Sequence, residues 1–425
     1  MANNFSNTQL VTDQVTARLS NRLIKGGMVP KDLEGEFSSA QYGDTINMRR
    51  PVYMTSTTGA VIGGSDTTDI IQGTVPVVVD ERHKVVFSLT TQEMSLDITS
   101  PRIQNVIDAQ AEELANIVEQ AIADEFKNET WNYIDASGGI SLDDIGEAEA
   151  FMIAQGVNSM SDLYGCVTPD AARILSKEVS TNFSFPSVAR VTDAMDRAKV
   201  GMYNNVSIMR DQVLATHSSG VATGTILVNG NDQNVTYDSV SGTYEQTIDL
   251  DGFTASTTGI LKQGDVINIA TFEAVNRKTR KAVGELQDYV VKADVDSNGA
   301  GEATVTISPP IIAEAGAANA YNTVDTDVTD VTAMDGLAVT VLTGQSATRK
   351  ENIIFAPEAF QLAMVDLPNV SEYGAKSATR NYEGVSVRLV QQYGIVDDAI
   401  TFRADVLFAV KCVQPYYAHR IGTSK

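Results

Sequence analysis

The sequence predicts an α+β protein that carries an all-β barrel domain inserted between two halves of its host. Three observations predict it. Mixed helix and strand texture runs to about residue 219 and resumes near residue 347. Between these, residues 220 to 346 hold short β-prone runs separated by Gly, Asn, Asp and Thr turns. Upstream, one segment after Ser100 keeps an apolar helical face for roughly 28 residues, well beyond an average helix.

At 425 residues the chain exceeds the ~250 to 300 residues that one core usually supports, so it divides into several parts. The expected parts are an N-terminal arm (1–35), an extended β-hairpin loop with peripheral strands (36–98), a spine helix (99–139), a central domain (140–219), the inserted barrel (220–346), and the rest of the central domain with C-terminal strands (347–425). A net charge of −23, from 31 basic and 54 acidic residues, argues against a general nucleic-acid binder, whose affinity comes from clustered Lys and Arg. The same surplus favours solubility. Cys166 and Cys412 make no disulfide framework and read as buried free thiols in a reducing cytoplasm. The start, MANNFSNTQLVTDQ, lacks the features of a signal peptide, and no apolar run approaches the ~20 residues of a membrane span. A soluble, cytosolic product without a membrane partner is expected.

In chain order, Val11, Val15, Leu19 and Leu23 stand at four-residue steps and predict a helix ending near Gly26-Gly27. Arg18, Arg22, Lys25 and Lys31 against Asp13 alone give this stretch a net charge of +3. Such an arm either docks on an acidic partner or neighbouring subunit, or packs on its own domain. Strand-like runs at Thr45 to Met48, Pro51 to Met54 and Ile70 to Val79 flank a Ser/Thr/Gly-rich stretch, Ser56 to Asp69, and together read as a long hairpin with an extended tip. Ser100 suits a helix cap and Pro101 the first helical position. Ile103, Val106, Ile107, Leu114, Ile117, Val118, Ala121, Ile122 and Phe126 then continue one face, making a structural spine. A helix near Leu142 to Gln155, a strand at Tyr164 to Val167 and a helix from about Pro169 follow.

Within the insertion, Gly224 to Val228, Gln246 to Leu250, Asp265 to Phe272, Tyr289 to Val295 and Ala303 to Ser308 are strand candidates for a small barrel or sandwich. The segment carries 17 acidic and 6 basic residues, nearly half of the whole surplus. Beyond it, Asn352 to Phe355 reads as a strand and Pro357 to Met364 as a helix. Val385, Val387 and Leu389 alternate, and Val406 to Val413 reads as a strand buried on both faces.

Catalytic signatures are missing. The sequence holds no phosphate-cradling loop, dinucleotide fingerprint, nucleophile elbow, zinc-protease helix or Cys-x-x-Cys pair. His83, His217 and His419 are far apart and without partner motifs, so no catalytic residue and no cofactor is assigned. Asp294 to Gly299 matches the opening of a calcium loop, but Val305 stands where the bidentate Glu belongs, so a hairpin turn is the better reading than a metal site. Arg277-Lys278-Thr279-Arg280-Lys281, the densest basic run, reads as a solvated loop or as a partner for a neighbour's carboxylates, with phosphate contact the lesser alternative.

Arm, hairpin, spine helix, central domain, inserted barrel and β-rich C-terminus, in that order, resemble the major capsid protein of tailed bacteriophages, in the podovirus branch whose coat protein carries an inserted β-barrel. Asp44 to Met48 before the extended loop, Thr257 to Asp265 leading into a strand, Ala303 to Pro310 and the return of the chain at Ala338 to Leu342 carry the resemblance, which spans nearly the whole length. It implies the capsid fold shared by tailed phages and herpesviruses. It also implies hexamers and pentamers assembling with a scaffolding protein into an icosahedral procapsid in the host cytoplasm. That shell holds a portal protein and matures into a virion enclosing DNA that is not bound by sequence.

By the same resemblance, the arm (Arg18, Arg22, Lys25) contacts neighbours and scaffold. The loop near 50 to 72 lies over an adjacent subunit, and the insertion steadies the folding subunit. A loop near Tyr237 to Asp251 touches a neighbouring capsomer across a two-fold axis. The related coat protein uses charged residues there, and this chain offers Asp238, Glu245, Asp249 and Asp251 without a basic residue in the loop. An acidic coat also suits packaged DNA, since an adhesive inner wall hinders filling and ejection. Two rivals fit the absence of motifs: a tail or adhesive component with no shell-forming role, and a hydrolase using paired carboxylates that the sequence does not single out.

Overall fold

The structure, a computed structural model, describes residues 7–20, 22–31, 45–54, 71–90, 101–182, 201–314, 321–325, 332–371, 374–382 and 384–424. The hairpin tip expected at Ser56 to Asp69 and the cap expected at Ser100 lie outside these residues. Its helices are α1 Asn7–Ser20, α2 Lys25–Met28, α3 Pro101–Glu129, α4 Leu142–Gln155, α5 Pro169–Asn182 and α6 Tyr237–Val240. Strands before the insertion are β1 Thr45–Arg49, β2 Thr74–Val78, β3 Glu81–Thr90, β4 Asn132–Ala136, β5 Leu163–Val167, β6 Gly201–Tyr203, β7 Val206–Arg210 and β8 Thr216–Ser218. The insertion supplies β9 Gly224–Val228, β10 Gln246–Phe253, β11 Val266–Val275, β12 Ala282–Val291, β13 Ala303–Ser308 and β14 Val339–Val341. After it come β15 Thr348–Phe355, β16 Phe360–Met364, β17 Lys376–Tyr382, β18 Val385–Gly394, β19 Ala399–Cys412 and β20 Ala418–Thr423. β1 and β2 pair as the root of the expected hairpin, while Pro51 to Met54 is not a strand.

The chain forms two compact units. The first takes residues 1–47, 76–122 and 360–411. Its sheet runs β16, β19, β18, β17, with β3 also paired to β19. Of the stretch Val406 to Val413 expected to be covered on both faces, Val406 to Ala409, Cys412 and Val413 are buried, whereas Val410 and Lys411 are only half-buried. β18 is a strand as expected, but its alternation does not leave the polar members in water. Ser386 donates to Asp366, and Arg388 pairs with the fully buried Asp405 at 2.5 Å. Arg403 joins that carboxylate at 2.6 Å and Arg82 at 3.8 Å.

In the same unit α1 lies along β17 and β18 and buries Val15 and Leu19. It stops at Ser20 rather than running to Gly26-Gly27, and α2 follows as a separate turn. Ala111, Leu114, Ala115 and Val118 of α3 are buried, whereas Val106, expected on that face, is exposed, and the side chains of Ile103 and Ile107 lie outside those described. The helix expected over Pro357 to Met364 is instead a 3₁₀ turn, Pro357–Ala359, followed by β16. All five residues of β16 are buried, so its sequence shows no polar beat to tell a strand from a helix, and pairing with β19 decides.

The second unit takes residues 48–75, 123–359 and 412–425. Its host sheet runs β4, β20, β15, β5, β7, β6, with β8 beside β15. Ser141 and Asp144 form a capping box that starts α4, and Gly156 at φ 112° ends it. Ile145, Ala148 and Met152 of α4 and Ala172, Leu175 and Val179 of α5 share one core with Leu163, Ile354 and Ile421 of the sheet. Each such Leu or Ile contributes about 1.5–3 kcal/mol of burial.

The inserted sheet runs β14, β11, β12, β13, β10, β9, and an antiparallel bridge from Leu227 to Ala338 joins its two ends into a barrel. Ile248, Leu250, Ile267, Ile269, Tyr289, Val291, Val305 and Ile307 fill it. β9 and β13 match their expected bounds, while the strand expected from Tyr289 begins at Ala282. β9 and β10 meet at a bulge built on two glycines. A Cβ on Gly224 would stand 2.0 Å from the Gly252 carbonyl oxygen, and one on Gly252 would stand 1.9 Å from that of Thr225.

Candidate functional site

The insertion leaves and rejoins its host through two adjacent segments. Ser219 N donates to Ala347 O and Ala347 N to Ser219 Oγ, both at 2.9 Å, and Ser346 N donates to Gly220 O at 2.8 Å. Asp265, fully buried at the start of β11, ties both. Its Oδ1 accepts from His217 Nε2 at 2.7 Å and Thr343 Oγ1 at 2.9 Å; its Oδ2 accepts from Gly220 N at 3.0 Å and Lys262 N at 2.7 Å. An ionised carboxylate only accepts, so His217 Nε2 carries the proton. Burial pushes this carboxyl up, but the bonds from His217 and the two amides outweigh it and hold it below the usual aspartate range.

Beside it lies a buried charge network. Arg420 donates to Lys127 O at 2.6 Å and Gly264 O at 2.8 Å, and its guanidinium lies 5.4 Å from the Tyr133 ring centre. Asp288 accepts from Tyr133 N at 3.1 Å, yet burial, with Glu285 adding to it, pushes its carboxyl up to about 8. Burial likewise raises Glu351, whose two oxygens are buried without hydrogen bonds. His419 Nδ1 meets Arg420 O at 3.1 Å, and burial, aided by the Arg420 cation, lowers its imidazole to about 4. These groups join the barrel to the host sheet inside one unit. Apart from Glu351, these groups bond to the backbone.

The calcium-like stretch spends its carboxylates on separate amides. Asp294 accepts from Gln263 N at 2.8 Å and Asp296 from Gly259 N at 2.6 Å. Among the described residues no three His, Cys, Asp or Glu side chains gather as metal ligands.

The basic run is the hairpin turn between β11 and β12. Asn276 Oδ1 accepts from Lys278 N and Thr279 N, and Asn276 Nδ2 donates to Ala154 O at 2.6 Å, clipping the turn to the end of α4. Lys278 is exposed, as a solvated loop predicts, but Arg277 turns inward. It lies 4.6 Å from the Tyr416 ring centre and 5.6 Å from that of Trp131, and donates to Tyr244 Oη at 3.1 Å. Arg50 covers the face of Tyr244 at 4.6 Å. Cation–π contacts of this kind are worth about 0.5–2 kcal/mol each. Tyr237 stacks on Tyr321 at 4.0 Å, Tyr53 meets Tyr321 edge-on at 6.1 Å, and the hydroxyls of Tyr53 and Tyr416 are 2.6 Å apart. Between these rings opens a narrow cleft. Gly73 is required beside it, because a Cβ there would meet Tyr237 Oη at 2.5 Å.

The residues expected at assembly contacts are placed as follows. Arg18 pairs with Asp108, Arg22 with Glu112 at 2.7 Å, and Lys25 with Glu119 at 3.0 Å, all on α3. Lys25 is fully buried, so it offers no outward contact. Glu119 also accepts from the amides of Ile24, Lys25 and Gly26, fixing α2. The stretch expected as a loop from Tyr237 to Asp251 is α6 followed by β10, held by the buried Tyr237 and Tyr244. Asp238 and Asp249 are exposed, with Asp249 accepting from Thr304 Oγ1 at 2.6 Å. Glu245 reaches Lys292 at 3.5 Å, and Asp251 keeps one oxygen buried without a partner. Sequence reasoning missed Glu119, Asp265, Arg50 and the aromatic cleft. Glu119 left one trace, an acid within the apolar stripe of α3.

Comparison with known proteins places the chain in a family. A major capsid protein of Acyrthosiphon pisum secondary endosymbiont phage 1 is 24% identical over 439 residues, covering 98% of this chain and 98% of the relative. Among solved structures, the capsid of Ralstonia phage GP4 aligns with a TM-score of 0.47 at 8% identity, over 93% of this chain and 87% of that one. A Mycobacterium phage Che8 structure gives 0.43 at 10% identity, over 94% and 91%. The family model described as P22 coat protein, gene protein 5, matches residues 1–422, arm and insertion included, and the chain belongs to that family of phage capsid proteins.

Proposed function

We propose that this chain, a major capsid protein, assembles as hexamers and pentamers with a scaffolding protein into an icosahedral procapsid in the host cytoplasm. That shell incorporates a portal and matures around DNA it encloses without reading. The observation that carries the proposal is the family match over residues 1–422, which takes in the arm, the barrel and the host sheet together. The family is structural, and the reading assigns no catalytic step. The expected six-part division belongs to the same reading, with residues 1–35 as arm, 99–139 as spine and 220–346 as insertion.

Within it, the exposed Arg22, the half-exposed Arg18, and Asp238, Glu245, Asp249 and Asp251 on the insertion are proposed contact residues. A shell holds many weak contacts that reinforce one another, so none of them needs to be strong alone. The test is to express the chain with and without its scaffolding protein, sediment the lysate and image the fast fraction by electron microscopy. Closed particles, more uniform when scaffold is present, are expected. Folded protein giving only monomers, rings or filaments under both conditions overturns the reading and favours a tail or adhesive component.

A further inference from the structure

Crowded guanidinium groups in this protein generally come with a carboxylate. Arg82, Arg388 and Arg403 surround Asp405, and Arg349 pairs with Asp135. The aromatic cleft is different. Arg50 and Arg277 both line it, both meet Tyr244, and none of the described residues lining it is acidic. Arg280, on the same turn as Arg277, donates to Met54 O one residue beyond Tyr53. None of the three arginines has an ion-pair partner among the described residues, and the Nε atoms of Arg50 and Arg280 are buried without a hydrogen bond. The tyrosines do not supply the charge, because burial pushes the hydroxyl of Tyr237 up to about 12 and that of Tyr416 higher still. Arg50 and Arg277, held against aromatic faces without an ion-pair partner among the described residues, suit an incoming anion in a chain of net charge −23.

We propose that the Arg50–Arg277 cleft is a socket for a carboxylate side chain from a neighbouring copy of this chain in the shell. Charge complementarity selects the occupant. Each copy carries 54 acidic residues, and in a shell the neighbours are other copies at fixed positions. A guanidinium pairs with a planar carboxylate through two parallel hydrogen bonds. The socket stands at the root of the extended hairpin, where Arg50 N donates to Gly73 O at 2.8 Å, so filling it ties the hairpin root and the β11–β12 turn to one incoming group.

The proposal rests on the shell-forming role, and its test separates the two. A high-resolution electron-microscopy map of the assembled wild-type shell should show an Asp or Glu of another copy within about 4 Å of the Arg50 or Arg277 guanidinium. Water alone, an acid of the same chain, or a DNA phosphate in that position overturns the socket while leaving the shell intact. In parallel, Arg50→Gln and Lys278→Gln subunits are compared by sedimentation after assembly with scaffold. Losing a charge-assisted contact at every repeat should cut the Arg50→Gln yield of shells at least about tenfold, with Lys278→Gln within about twofold of wild type. Equal yields for both variants count against the socket. Should Arg50→Gln fail to fold, judged by circular dichroism of the free subunit, the map decides.

Discussion

Asp288 keeps a proton near neutrality that the unfolded chain would release, because burial raises its carboxyl to about 8. Between about pH 4 and pH 8 the folded state therefore binds more protons than the unfolded one, and stability falls as pH rises through that window. The linkage amounts to at most on the order of 5 kcal/mol. Asp288→Asn, which still accepts from Tyr133 N, should raise the melting temperature at pH 8 and leave it nearly unchanged at pH 4.5. Thermal scans across that range check it, and an unaltered slope would sink the assignment. His419 works in the opposite sense: its folded value of about 4 lies below the unfolded one, so its contribution is lost as pH falls below about 6.5. The pair Lys25–Glu119 gives a second residue-scale prediction. Lys25→Met should cost about 3–5 kcal/mol by stranding a buried carboxylate, and Glu119→Ala more, since it also releases three backbone amides. Denaturant melts of the subunit measure both. The basic spacing of the arm was legible in the sequence, but its acidic partners were not, because pairing across some 90 positions leaves no local pattern.

Elements with a full set of local signals were the readable ones. α4 carries a capping box, a periodic face and a terminal glycine, and its expected bounds match those observed. β13 alternates buried and more exposed residues from Ala303 to Ile307, and β19 holds a run too apolar for any surface. β16 lacked such punctuation, and the face of α3 was misplaced at Val106 because valine there is tolerated in solvent. The two-glycine bulge of β9 and β10 gives the prediction for this scale. Gly252→Ala places a methyl against the Thr225 carbonyl at a φ of 78°, so the strands must part. A loss of at least about 2 kcal/mol is expected, read as a lower unfolding midpoint with the unfolding slope retained. A neutral result would show that the bulge is not needed.

For the whole molecule, order was legible and closure was not. Turn-separated strand candidates located the barrel, yet only the folded chain reveals that a single carboxylate ties its incoming and outgoing segments. Asp265→Ala leaves His217 and two amides without their acceptor, so limited proteolysis should cut faster near residues 219 and 343 while the barrel core survives. Unchanged cleavage there would show that the paired segments hold without it. The bridge from Leu227 to Ala338 has a further consequence for a protein made in many copies to stand side by side. An open six-stranded sheet would present a bare row of amides and carbonyls at each end, a template on which crowded subunits could add strands without limit. Bridged at Leu227 and Ala338, the two ends present a shorter row, so crowding favours side-chain contacts of defined geometry over backbone pairing that grows into aggregates.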